Sequence, residues 1–263
     1  MRSTRHKDSR GRGRAEPYLV PGERAVVELL RAAPERIDRI WVDRGREHAS
    51  LAELAARNRV KLETCDAARL RELGGELPAR GVLASARPPE LHALDDLIAR
   101  LGDVAPGRRP VLVALDGVQD PQNLGAIVRS CDFFGVAGVF WPRDRAVGLG
   151  PSAARASAGA TERVAMGEVT NLARALAQCA DAGAWVVGTV PEGGESLPEL
   201  VLGDRLPEPL VVVMGGEHEG IRRLTRDRCD LLVTIPGTGG VASLNVAAAT
   251  AVVLSWVVPG SRR

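Results

Sequence analysis

The sequence predicts an α/β protein whose C-terminal part is a mostly parallel sheet covered by helices on both faces, with a smaller α/β unit before it. Apolar runs rich in β-branched residues at Val111–Leu115, Val136–Phe140, Ala184–Val190, Leu210–Met214 and Leu231–Ile235 alternate with helical patterns. Strands of that composition are buried on both sides, as in a parallel sheet between helices. Three of the runs lead into glycine-bearing segments, Leu115–Ser130, Val211–Arg223 and Ile235–Ala249, each of which then begins a helical pattern. In an open sheet of this kind such loops gather at the carboxyl edge of the strands, where ligands bind.

Taken in order, residues 1–16 form a basic tail. Arg2, Arg5, Lys7, Arg10, Arg12 and Arg14 against Asp8 give residues 1–14 a local charge of +5, so the remainder of a chain with formal charge +2 carries about −3. Such a tail suits polyanion contact through counterion release, and equally a solvated leader. Residues 17–87 form the first unit: a helix over Pro21–Ala33, a strand over Ile37–Val42, a helix over Leu51–Arg57, a strand over Val60–Glu63, a helix over Ala67–Leu73 and a strand over Val82–Ala86. Residues 88–109, with prolines near both ends of one helical pattern, are the connection between units, and 110–263 are the second unit.

Four widely spaced cysteines without a CxxC give no basis for zinc or a disulfide framework, which suits a reducing cytoplasm. No apolar stretch follows the N-terminal charges, and the apolar run Val246–Val258 is broken by Thr250 and Ser255. A soluble cytoplasmic protein without membrane attachment is expected.

The three segments carry the chemistry. In the first, Asp120 suits a helix N-cap, Pro121 the first helical position and Gly135 the C-terminal stop. Asn123 and Arg129 are needed for neither cap nor core. Gly125 in an early turn costs about 1 kcal/mol against alanine, implying a close approach to the backbone there, as by an anionic ligand. In the second, Gly215 and Gly216 follow a strand and Gly220 precedes a helix opening with Arg222 and Arg223. The spacing is neither GxGxxG nor GxxxxGK[ST], and His218 lacks the HExxH context of a metal ligand, which leaves Glu217 as the residue of interest. In the third, Ser243 reads either as an N-cap or as a site residue, and a buried Asn245 amide would need partners. No metal site is expected.

Together these residues resemble the three signature motifs of the SpoU/TrmH family of RNA ribose 2'-O-methyltransferases in the SPOUT superfamily, with the bacterial 23S ribosomal RNA guanosine 2'-O-methyltransferase subgroup the nearest pattern. The first motif is matched by Asn123, Gly125 and Arg129, the second by Gly216, Glu217 and Gly220, and the third by Ser243, Leu244 and Asn245 after Ile235 and Pro236. GVLASARP (81–88) stands where the last strand of the family's L30e-like domain belongs. Two departures occur: Gly237 where a methionine is common, and Arg80 where a glutamine is usual.

The resemblance implies a SPOUT domain with a deep trefoil knot holding S-adenosyl-L-methionine, an L30e-like RNA-binding domain over 17–87, and a homodimer through the catalytic domains. It implies catalytic roles for Asn123, Arg129, Glu217, Ser243 and Asn245, and cofactor contacts from Gly215, Ile235 and Leu244, with Thr189 at its strand end a further candidate. A guanidinium is a poor proton acceptor, so Arg129 is expected to grip an RNA phosphate and polarise the ribose hydroxyl. Asn123, Ser243 and Asn245 would orient that hydroxyl, while Glu217 holds Arg129 or relays the proton. Three phenylalanines, four tryptophans and one tyrosine give few stacking platforms, so RNA is expected to be read by phosphates and shape. Transfer RNA or another ribosomal site, such as one conferring antibiotic resistance, and a non-catalytic ribosome-assembly protein remain alternatives; a nucleotide-dependent oxidoreductase lacks its glycine fingerprint.

Overall fold

The computed structural model describes residues 18–75, 81–105, 107–144, 146–217 and 219–258. The tail arginines, Arg80 and His218 lie outside them.

The first unit runs β1 (Tyr18–Pro21), α1 (Glu23–Ala32), β2 (Ile37–Asp43), α2 (Ala49–Arg57), β3 (Leu62–Cys65), α3 (Ala67–Gly74) and β4 (Val82–Ala86). Its sheet has the order β1-β4-β2-β3, with β2 and β3 parallel and the other pairs antiparallel. Val20, Leu29, Leu30, Ile40 and Val82 form its apolar centre. The expected helix from Pro21 begins instead at Glu23. Pro21 ends a four-residue strand, and Gly22 turns the chain at φ 98°, a conformation glycine adopts without steric cost.

The second unit adds α4 (Leu94–Ala99), β5 (Val111–Asp116), α5 (Pro121–Phe134), β6 (Gly138–Pro142), α6 (Pro151–Ser157), β7 (Met166–Val169), α7 (Leu172–Asp181), β8 (Trp185–Thr189), β9 (Glu195–Ser196), α8 (Leu197–Leu202), β10 (Leu210–Gly215), α9 (Arg223–Arg226), β11 (Leu231–Thr234) and α10 (Val246–Val257). Among the described residues, every pairing in the sheet β7-β6-β5-β10-β8-β11-β9 is parallel. Alternation along β5 shows why both faces are apolar. Val111, Val113 and Leu115 pack with Leu124, Ile127 and Val128 of α5 and Val253 and Leu254 of α10, while Leu112 and Ala114 pack with Leu176 and Cys179 of α7.

Segment 88–109 docks onto this sheet: Leu97 of α4 is buried with Leu112 and Phe140, and the His92 backbone N–H donates to the Met166 carbonyl at 2.7 Å. The strand expected from Val136 begins at Gly138, because Gly135 ends α5 in the left-handed conformation and Val136 donates back to Cys131. The two units touch. Ala154 of α6 lies in the first unit's apolar cluster, Arg36 pairs with Glu162, and Arg163 bridges Glu28 and Asp132. Burial beside Glu162 holds the Tyr18 phenol far above its ordinary pKa.

Candidate active site

Register fixes the site. β5, β10, β8 and β11 lie side by side and in parallel, so Asp116, Gly215, Thr189 and the Thr234–Ile235 step fall along one edge of the sheet. The expected segments therefore leave from neighbouring strands. Asp120 caps α5 by accepting from the Gln122 N–H at 2.8 Å, with Pro121 in the first turn. This cap places Asn123, which is buried, where two other loops meet it. Asn123 Nδ2 donates to Glu217 Oε1, and Asn245 Nδ2 donates to Asn123 Oδ1 at 3.1 Å.

Asn245 is the N-cap of α10. Its Oδ1 accepts from the Ala247 and Ala248 N–H groups at 2.9 and 3.4 Å, and the residue is exposed. The alternative in which Ser243 caps this helix is thus replaced: Ser243 lies exposed two residues earlier. Arg129 is on the exposed side of α5, and its side chain makes no hydrogen bond or ion pair among the described residues. Glu217 accordingly holds Asn123 and not Arg129.

The glycines separate into two kinds. A Cβ on Gly216 would run into the Gly117 carbonyl oxygen, and one on Gly215 into the Gly220 backbone, so these two are required by loop packing against loop. Gly125 is also required by close approach, but of α6: its Cβ would meet the Ala153 carbonyl oxygen and Ala156. The neighbour is a helix backbone, not the expected anionic ligand. Gly237, Gly239 and Gly240, by contrast, face open space.

Asp116 is a site residue absent from the sequence-based set. Its buried carboxylate accepts from the Arg222 backbone N–H at 2.8 Å and pairs with the Arg222 guanidinium at 3.4 Å, and its own carbonyl accepts from Gly216 at 2.8 Å. It ties the loop after β10 to the end of β5. Between these loops lies a cavity of about 290 Å³ lined by Asp116, Gln119, Glu217, Glu219 and Arg222, among others. Thr189 is less available than expected, since its hydroxyl donates to the Val213 carbonyl at 2.9 Å. Ile235 is half-buried and Leu244 is exposed. Among the described residues, no group of three or more His, Cys, Asp and Glu side chains is placed to hold a metal ion, and no helix is long and apolar enough to cross a membrane.

Comparison with known proteins identifies the family. The SpoU rRNA Methylase family matches residues 110–255, and the description "RNA 2'-O ribose methyltransferase substrate binding" matches residues 19–92. The chain is 41% identical over 240 residues to a Burkholderia 23S rRNA (guanosine-2'-O-)-methyltransferase RlmB, covering 90% of this chain and 94% of that one. It is 38% identical over 242 residues to the protein of the same name from Shewanella oneidensis, with the same coverage. Among solved structures, the SpoU methyltransferase AviRb from Streptomyces viridochromogenes in complex with AdoMet superposes with a TM-score of 0.70 at 25% identity, covering 93% of this chain and 90% of that one. The chain belongs to the SpoU rRNA methylase family.

Proposed function

We propose that this protein transfers a methyl group from S-adenosyl-L-methionine to the 2'-oxygen of a guanosine ribose in 23S ribosomal RNA. One observation carries the reading: loops from three parallel strands meet in a single hydrogen-bonded chain, Asn245 to Asn123 to Glu217. The relatives that cover nearly the whole chain bear the name of that activity.

The residues present fit the methyl donor. Segment 235–245, IPGTGGVASLN, has no charged side chain, and it combines open glycines with exposed Val241 and Leu244. Apolar side chains and peptide groups suit an uncharged planar adenine with an exocyclic amine; a nucleotide phosphate would call for arginine or lysine. Gly215, Ile235 and Leu244 would hold it, largely through backbone groups, with Thr189 behind them. When bound, the sulfonium supplies a methyl already activated for transfer.

The protein's part is then alignment and removal of one proton. Arg129 grips the phosphate next to the target ribose and polarises the hydroxyl, a task suited to a forked guanidinium. Asn123, Ser243 and Asn245 orient the 2'-oxygen. Glu217, anchored through Oε1, offers Oε2 to take the hydroxyl proton, a role worth about 10²- to 10⁴-fold in rate. The first unit, read as an L30e-like domain over 17–87 and joined through 88–109 to a catalytic domain over 110–263, supplies the RNA contact together with the basic tail.

A deep trefoil knot in the catalytic domain belongs to the same proposal. It is supported by β10 entering the sheet between β5 and β8 before the chain turns back to pack α10 on α5. A homodimer through the catalytic domains is supported by α10, which is apolar apart from Thr250 and Ser255 and leaves Ala248 and Ser255 exposed on its side away from the core. A cytoplasmic location follows from the substrate. Mapping 2'-O-methyl groups on 23S RNA from cells with and without the gene tests the function: a guanosine ribose methyl missing only in the deletion strain supports it, and an unchanged map overturns it.

A further inference from the structure

The cavity beside Glu217 has a chemistry distinct from that of the methyl-donor loop. Asp116, Glu217 and Glu219 against Arg222 leave its charged lining at −2, which repels a phosphate and favours a neutral occupant bearing N–H donors. Arg222 is held ready. Its backbone N–H and guanidinium are both tied to buried Asp116, its Nε lies 3.5 Å from Glu219, and Nη2 has no hydrogen-bond partner among the described residues. Gly117, at φ 81°, lies directly against that guanidinium; a Cβ there would come within 3.0 Å of Nη2. Glu219 is 77% exposed at its side chain and, among the described residues, that side chain holds only the long contact to Arg222, which leaves it able to accept from a ligand.

Resting on the reading of the chain as an RNA ribose methyltransferase, we propose that this cavity receives the base of the target nucleotide and selects guanine. Glu219 accepts from N1–H and the 2-amino group, and Arg222 donates toward O6 and N7. Guanine is the base whose Watson–Crick edge carries two adjacent donors, the pattern a carboxylate meets bidentately. Its O6 and N7 are the acceptors that arginine pairs best. Adenine and cytosine set a ring acceptor next to their single amino group, and uracil flanks its imino group with two carbonyls, so each turns a lone pair toward a carboxylate. The volume of about 290 Å³ falls at the small end of ligand pockets, in keeping with one base and a few waters. Glu217 lines the cavity and also holds Asn123, so a base seated here carries its own ribose to the Asn123–Asn245 group.

The test compares unmodified 23S RNA transcripts carrying guanosine or inosine at the methylated position, inosine lacking the 2-amino group alone, with wild-type protein and Glu219→Gln. Wild type is expected to lose about 10- to 100-fold in kcat/KM on inosine. Glu219→Gln should lose a similar factor on guanosine, treat the two bases nearly alike and bind S-adenosylmethionine as wild type does; its exposed position spares the fold. Equal wild-type rates on the two bases, wild-type discrimination retained in Glu219→Gln, or methylation at a nucleotide other than guanosine overturns the pocket while leaving the methyltransferase standing. A wild-type protein that methylates no RNA removes the underlying function, and the pocket with it.

Discussion

Asn245 donates its side-chain amide to Asn123 across 122 residues of chain, while its own oxygen caps α10. One side chain thus sets both the start of the last helix and the partner of Glu217. Substitution can separate these duties.

Asn245→Asp keeps a good capping oxygen but loses the donor to Asn123, whereas Asn245→Ala loses both. Removing such a cap costs about 1 kcal/mol, or about 2–4 °C in Tm for a chain of this size. Both variants should lose methyl transfer by at least about 100-fold, with only the alanine variant melting earlier. Thermal melts alongside single-turnover rates check this, and an active Asn245→Asp enzyme contradicts it.

Arg129 is assigned to RNA, so Arg129→Lys should cut the rate steeply while calorimetric binding of S-adenosylmethionine is unchanged. Near-full activity in the lysine variant shows that forked phosphate geometry does not matter. Loss of donor binding in Arg129→Ala refutes the assignment from the other side.

Gly216 and Gly239 should respond oppositely to alanine. Gly216→Ala drives a methyl into the Gly117 carbonyl and is expected to lower Tm clearly and abolish activity, whereas Gly239→Ala meets nothing within 4 Å and should leave Tm within a degree or two. Equal melting temperatures for the two variants would rule out the tight loop packing described.

The contact between the two units rests on a buried carboxylate. The Glu162 side chain is 1% exposed and faces Arg36, so Arg36→Ala leaves an uncompensated buried charge, costing about 3–5 kcal/mol. Arg31, in an exposed pair with Glu28, should cost less than about 1 kcal/mol when replaced by alanine. Denaturant unfolding of both variants makes the comparison.

Burial pushes the Cys131, Cys179 and Cys229 thiols up to about 12 from an ordinary 9.0. A raised thiol pKa means that unfolding releases protons. The stabilising contribution is therefore complete below about pH 9 and is lost as pH climbs toward 12. Stability should fall across that window, and Cys131→Ala should flatten the fall. At pH 8 the buried Cys131 and Cys179 thiols should resist iodoacetamide until the protein unfolds, whereas the partly exposed Cys65 should be alkylated in the native state.

The parallel sheet was legible because strands buried on both faces read as continuous apolar runs, and the three loops because glycines follow those runs. β7 and β9 were not legible: MGEV and ES are short edge segments whose pairing comes from neighbours, not from their own pattern. Asp116 reads as the polar residue that ends a strand; its clue was that a carboxylate following five buried apolar residues needs a partner, here Arg222 more than a hundred residues on. Gly125 announced a close approach correctly, but the approaching group was α6, whose small residues at Ala153, Ala156 and Ser157 were the unread half of the signal. Ser243 read as a possible N-cap and Asn245 as a buried amide; the helix starts two residues later than that cap requires, so Asn245 is the cap and is exposed.

The most direct test incubates the full chain with methyl-labelled S-adenosylmethionine and unmodified 23S ribosomal RNA, then locates the label by nucleotide. Label on the 2'-oxygen of a guanosine ribose, lost in Asn123→Ala and Arg129→Lys, is the predicted result. Label on a base, or none from a folded protein that binds both donor and RNA, would contradict it.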